Sequence, residues 1–191
     1  MRPNSLTSLA TLLVLALALT LSACGNKHET VHEAETEGIY VDVDELKYQV
    51  QISRQLNPAA IPEDRTFLSG VREAQAELGE GEVWFAVFVR VENESDEPQV
   101  PTTRFELEDQ QGNVYEPVSI ADEGNPFRYD TDPIRPGGYA PGPDTIARQV
   151  GSVGGMLQLF KVKYETLDNR PVELIIHSLT SDDESTVEID I

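Results

Sequence analysis

The strongest apolar run in the body of the chain is Val83-Trp84-Phe85-Ala86-Val87-Phe88-Val89-Arg90-Val91. Extended backbone alternates its side chains, so Val83, Phe85, Val87, Val89 and Val91 share one face. Trp84, Ala86 and Phe88 make the opposite face apolar as well, which places this strand in the middle of a sheet with its second face partly covered. Around it the alternation is one-sided. Ile39, Val41 and Val43 form one set, and Leu46, Tyr48, Val50 and Ile52 alternate with Lys47, Gln49 and Gln51. Phe105 and Leu107 alternate with Arg104, Glu106 and Glu108, and Asp109 to Asn113 supplies a turn into Val114 and Tyr115. Phe160, Val162 and Tyr164 make another strand, and the turn Asn169-Arg170-Pro171 leads into Val172, Leu174 and Ile176. Residues 181–191 read as an acidic tail or as an edge strand through Val187, Ile189 and Ile191. Only Val71 to Leu78, bracketed by Gly70 and Gly79, reads as helix. About seven short strands without βα alternation predict an all-β antiparallel sandwich over residues 38–180.

The first residues follow another pattern. Leu9 to Leu21 is apolar apart from Thr11 and Thr20, the length of a signal-peptide core and short of the ~20 residues a membrane helix needs. It ends in Leu21-Ser22-Ala23-Cys24-Gly25, which resembles a bacterial lipobox. The resemblance implies a leader over 1–23, cleavage before Cys24, and a Cys24 thiol carrying diacylglyceryl, with palmitate among the acyl chains. Two or more chains make a firm anchor. The expected site is the cell membrane, lipid-anchored and facing the extracytoplasmic side, with the bilayer as partner through acylated Cys24. Residues 24–37 are polar and acidic and read as a flexible tether. Cys24 is the only cysteine, so no internal disulfide supports the fold.

Charge narrows the functions further. Acidic residues outnumber basic ones 34 to 14, a formal charge of -20. That balance excludes a nucleic-acid partner, because phosphate contacts need clustered Lys and Arg. No phosphate-cradling loop, dinucleotide fingerprint or nucleophile elbow is present in the sequence, and no cofactor is expected. His28-Glu29-Thr30-Val31-His32 does match the zinc-protease pattern, which on a helix sets both imidazoles on one face. It lies four residues from Cys24, Glu33 follows the second histidine, and His177 is the only other histidine. A metal role at His28 and His32 is therefore the alternative reading. His177, beside Ser178 at a strand end, reads as a half-buried structural histidine. Met156, the one methionine after the leader, is too little for a copper site. Asp42 with Asp44 and Asp130 with Asp132 lack the glycine and ligand spacing of a calcium loop.

Two longer stretches carry a family resemblance. Tyr48-Gln49-Val50-Gln51-Ile52-Ser53-Arg54-Gln55-Leu56-Asn57-Pro58, with Pro62-Glu63-Asp64-Arg65 and Phe67-Leu68, is similar to the opening of bacterial extracellular lipoprotein domains. Phe88-Val89-Arg90-Val91-Glu92-Asn93-Glu94, then Phe105 to Asp109, Gly112-Asn113 and Tyr115-Glu116-Pro117, resembles immunoglobulin-like modules of largely uncharacterised type. The resemblance covers about residues 38–178 and implies export, an anchor and an immunoglobulin-like sandwich, with no active-site residue. The Gly- and Pro-rich stretch Pro133 to Pro143 departs from it. Phe127, Arg128, Tyr129, Arg135 and Tyr139 sit in or beside this stretch, and aromatic and Arg side chains on a stiff loop suit a contact surface. The same aromatics suit an equally plain role, capping the open end of the core. The expectation is a non-catalytic exported lipoprotein that binds or positions a protein or envelope component outside the cell.

Overall fold

A computed structural model describes residues 30–121, 124–149 and 153–191 of the chain. The leader, Cys24, His28 and Glu29 lie outside the described residues. Two sheets face each other. The first runs in the order β1 (Glu33–Ala34), β10 (Glu184–Glu188), β9 (Val172–His177), β5 (Arg104–Asp109), β6 (Val114–Tyr115). The second runs β2 (Tyr40–Val43), β3 (Leu46–Leu56), β4 (Glu82–Asn93), β7 (Tyr139–Ala140), and β8 (Met156–Lys163) also pairs with β4. Every pairing is antiparallel except β1 with β10. The strands of four or more residues are β2, β3, β4, β5, β8, β9 and β10, the set that the alternation predicts; β1, β6 and β7 are two-residue additions. The fold is an all-β sandwich.

β4 organises it. Phe85, Val87, Val89 and Val91 are buried between the sheets with Tyr48, Phe105, Leu107, Leu174 and Ile176. On the opposite face Trp84, Ala86 and Phe88 are buried in a second cluster with Leu56, Phe67, Phe127, Leu157 and Leu159. Phe67 is the knot of that cluster, edge-to-face with Phe88 at 5.1 Å and with Phe127 at 4.9 Å. The cover over this face comes from two short helical turns, α1 (Asp64–Phe67) and α3 (Ile146–Gln149), and from nearby loops, while a third turn, α2 (Glu73–Ala76), buries no residue. Lys161 lies over the Trp84 ring at 5.2 Å and closes one flank.

β3 departs from its sequence reading at one residue. Leu46, Tyr48 and Val50 pair with Asn93, Val91 and Val89, but Ile52 pairs with Phe88, so Gln51 is an extra residue in the ladder. Such a bulge inverts the side-chain phase beyond it. Ile52 therefore packs on the second cluster instead of joining Leu46, Tyr48 and Val50 between the sheets. Beyond the bulge Leu56 faces Trp84 on the covered side, and Arg54 reaches α1. There it pairs with Asp64, which is 0% exposed and also accepts the Asn57 N–H at 2.6 Å.

The expected tether at 24–37 is shorter than predicted. Val31 N–H donates to the Asp42 carboxylate at 2.8 Å, and Asp42 N–H donates to the Val31 carbonyl at 2.7 Å. Glu33 and Ala34 pair with Thr186 and Val187, and the small side chain of Ala34 joins the core. Ala34 and Val31 are the only apolar groups this segment contributes, too few to show as a pattern. Residues 30–34 are non-helical, with strand at 33–34, and 35–38 bend and turn, so the helix that the zinc-protease reading needs is not formed from Thr30 onward. The 181–191 segment is neither tail nor edge, since β10 lies between β1 and β9. β8 begins four residues before Phe160, and Tyr164 leaves the strand for a short 3-10 turn, Tyr164–Leu167, where it is exposed.

The hairpin from β5 into β6 turns on Asp109. Its buried carboxylate accepts from the N–H groups of Gln111 (2.9 Å) and Asn113 (3.0 Å), from the Asn113 amide, and from Thr166 and Asn169 at 3.2 Å. Burial works to raise its pKa, but these donors outweigh it and hold the carboxyl below the usual range.

Two consequences are measurable. Asp64→Ala leaves Arg54 and the Asn57 N–H without their acceptor; because Arg54 is one-third open to water, the loss is about 2–3 kcal/mol, read by denaturant unfolding. For Asp109 the unfolded chain takes up the proton first, near pH ~4, while the folded chain resists it. Stability from this carboxylate is thus fully present above pH ~4 and lost as pH falls through the lower folded value. Asp109→Asn removes that dependence, so its denaturant midpoint shifts less than the parent's between about pH 6 and about pH 3.

Candidate functional site

The five residues expected to form one contact surface are divided by the fold. Phe127 is 4% exposed and belongs to the second cluster. Asn125 fixes it there: its side-chain NH₂ donates to the Phe67 and Ser69 carbonyls at 2.9 Å, and its side-chain oxygen accepts the Phe127 N–H at 2.9 Å. Tyr129 packs its ring edge-to-face on Phe105 at 5.1 Å. Tyr139 sits in β7 opposite Glu92, with the Arg90 guanidinium 4.8 Å and the Arg148 guanidinium 5.1 Å from its ring centre. Glu92 accepts from Arg90 at 2.6 Å and from Tyr40 at 2.5 Å, and burial, with this bond, pushes the Tyr40 hydroxyl up to about 12. Arg135 is exposed and, with Tyr139, lines a hollow of about 340 Å³ under the Pro- and Gly-rich stretch.

Arg128 and Tyr129 instead line a larger groove, about 470 Å³, between β5 and β8. It exists because the chain leaves one sheet for the other there. β6 pairs with β5 only through Tyr115 and Val114; at Pro117 the chain turns away, and Val118 N–H donates to the Leu159 carbonyl of β8 at 2.6 Å. Leu157 N–H donates to the Phe127 carbonyl at 2.7 Å, so the chain meets β8 at two points, Val118 and Phe127. The edges of the two sheets are held apart between these points.

Two polar groups in this region lack partners among the described residues. Gln158 pairs with Val87 in the ladder and therefore points between the sheets; it is 7% exposed, lines the groove, and its side-chain amide has no hydrogen-bond partner among the described residues. The Tyr129 hydroxyl is fully buried with no hydrogen-bond partner, and burial raises its pKa well above the ordinary tyrosine value. Gln158 escaped the sequence reading because it sits where an inward apolar residue belongs, between Met156 and Phe160. The one visible signal was its place in a strand whose other even-numbered residues are apolar.

The other candidate groups are engaged elsewhere. His177 stands between Glu106, 3.4 Å from Nε2, and Glu184, 3.3 Å from Nδ1. His32 Nδ1 meets Ser185 Oγ at 3.1 Å and Asp183 at 3.5 Å. Met156 is buried, and its sulfur accepts the Asp130 N–H at 3.4 Å. Asp42 is bound by Lys47 at 3.0 Å. Asp44 leaves the strand at φ 53, so it does not share a strand face with Asp42, and it accepts from Ser178 at 2.7 Å. Asp130 accepts the Asp132 N–H at 3.0 Å, a local turn. Among the described residues no three His, Cys, Asp or Glu side chains are grouped to hold a metal ion.

No known family matches the chain, and no curated protein does. Solved structures do resemble it. The yjhA protein of Bacillus subtilis is 12% identical with a TM-score of 0.51, over 82% of this chain and 99% of that one. A candidate lipoprotein of the same organism, ycdA, is 13% identical with a TM-score of 0.50, over 79% of this chain and 38% of its own length. An uncharacterised β-sandwich protein of Clostridium difficile is 14% identical with a TM-score of 0.44. At such identities the likeness bears on the fold alone.

The division of the aromatic stretch into core and surface is testable by stability. Phe127→Ala costs about 3–4 kcal/mol, as for a buried aromatic, and Arg135→Ala stays within about 0.5 kcal/mol, both by denaturant titration.

Proposed function

We propose that the protein is an exported lipoprotein, anchored through Cys24 on the extracytoplasmic side of the cell membrane, whose sandwich binds or positions a protein or envelope component without catalysis. The observation that carries this reading is the apolar leader ending in Leu21-Ser22-Ala23-Cys24-Gly25, set directly before a folded domain. The β5–β8 groove supports the binding half: it is roomy enough for a ligand, and the Tyr129 hydroxyl in its wall has no hydrogen-bond partner among the described residues. Arg128 and Tyr129 are the two expected contact residues that line it; Arg135 and Tyr139 border a separate hollow. The likeness to a candidate lipoprotein of Bacillus subtilis agrees with the anchor. The charge of -20 keeps such a domain soluble and off neighbouring anionic surfaces.

Metabolic labelling of bacteria with an alkyne analogue of palmitate tests the anchor. The chain takes up label and sediments with membranes, and Cys24→Ser loses both properties. A parent chain that stays unlabelled and soluble overturns the reading.

A further inference from the structure

We infer that the groove between β5 and β8 takes a polypeptide segment in extended conformation, which adds as a short strand to the free edge of β5 and has a main-chain amide read by Gln158. The inference rests on the binding role proposed above and names the chemistry of the partner.

The free edge follows from hydrogen-bond parity. Asp109 N–H donates to the Asn113 carbonyl across the hairpin at 3.1 Å, so the main-chain groups of residues 109, 107 and 105 all face the β6 side. Leu107 meets Tyr115 there. Phe105 would meet residue 117, but that is Pro117, which has no N–H and whose chain has turned toward β8. The N–H and C=O of Phe105 thus face the groove without a strand partner among the described residues. The neighbouring side chains do not block it: Arg104 donates to the Ser178 carbonyl at 2.9 Å, and Glu106 reaches His177.

Across the groove from that edge stands Gln158. A glutamine head offers one acceptor and two donors without charge, the complement of a peptide unit's N–H and C=O. A carboxylate or phosphate ligand would leave its acceptor unused. The ionic side chains lining the groove are Arg104 and Arg128 against Glu106 and Glu116, so net charge does not select the ligand. The volume suits three or four extended residues. Main-chain pairing on one side and a side-chain amide on the other is how strand addition gains affinity for a backbone.

The test uses the isotopically labelled full chain in mild detergent and follows backbone and side-chain amide signals by NMR during titration with N-acetyl-trialanine methylamide. The expected result is saturable shifts at Thr103 to Glu106 and at the Gln158 NH₂. Gln158→Met weakens binding at least ~10-fold while keeping or raising the melting temperature, because an unpaired amide is removed. The same peptide N-methylated on its internal amides does not bind, and this arm leaves the protein untouched should the variant fail to fold. Absence of saturable shifts, equal binding of the N-methylated peptide, or unchanged affinity in a folded Gln158→Met overturns the inference. Tighter binding of N-acetylglucosamine than of the peptide also overturns it, in favour of a small acetamido ligand. Palmitate labelling is independent of all these arms, so the anchor and the groove fail separately.

Discussion

A strand without a polar face has to be covered twice, and β4 obliges the whole chain to arrange that cover. Its odd-numbered residues are satisfied by the second sheet, in the ordinary way of a sandwich. Its even-numbered residues Trp84, Ala86 and Phe88 need a layer that no further sheet supplies. The chain builds it from excursions: the α1 turn after β3, the 116–129 segment, and α3 before β8. Each excursion must be fastened where it meets the sheet, and the buried polar groups mark the fastenings. Asp64 ties α1 to Arg54, and Asn125 ties the Phe127 loop to the Phe67 turn. The Gln51 bulge belongs to the same requirement, since it turns Ile52 toward the layer that must be filled.

The groove is a by-product of this construction. Residues 116–129 cannot both continue the β5–β6 hairpin and cover β4, so at Pro117 they abandon one sheet for the other. That leaves a strand edge unpaired and a glutamine between sheets without a partner. Exposed edges invite unwanted pairing with other chains. Here the edge is recessed between two walls, which restricts what reaches it to a slender, extended chain.

Local pattern and distant pairing explain what could be read in advance. β4 announced its central place because both faces are apolar within nine residues, and the Asp109 turn was visible because two of its donors, Gln111 and Asn113, lie within five positions of it. The bulge was not visible, because Val50, Gln51 and Ile52 look the same with or without an extra residue in register. Glu33 and Ala34 hid for a different reason: their strand partners, Thr186 and Val187, are about 150 positions away, and a two-residue parallel pairing leaves no periodicity. The aromatic stretch was seen as one unit, yet Asn125 fastens the Phe127 loop to the Phe67 and Ser69 carbonyls while Tyr139 is drawn onto Arg90, two separations set by partners distant in sequence.

The early docking of Val31 on Asp42 sets a mechanical limit once Cys24 carries the anchor. Residues 25–30 lie between Cys24 and the Val31 hydrogen bond to Asp42, a leash with a covalent reach of at most ~20 Å at ~3.5 Å per residue. Under the proposed anchor, a domain held at that reach would sample only a thin shell, a few Debye lengths deep, above the bilayer. The leash attaches beside β1, and the groove opens past β5, toward the other end of the same sheet order. At ~4.8 Å per strand the sheet itself becomes a rigid standoff of ~15 Å, carrying the unpaired edge to the side that lies away from the point of tether.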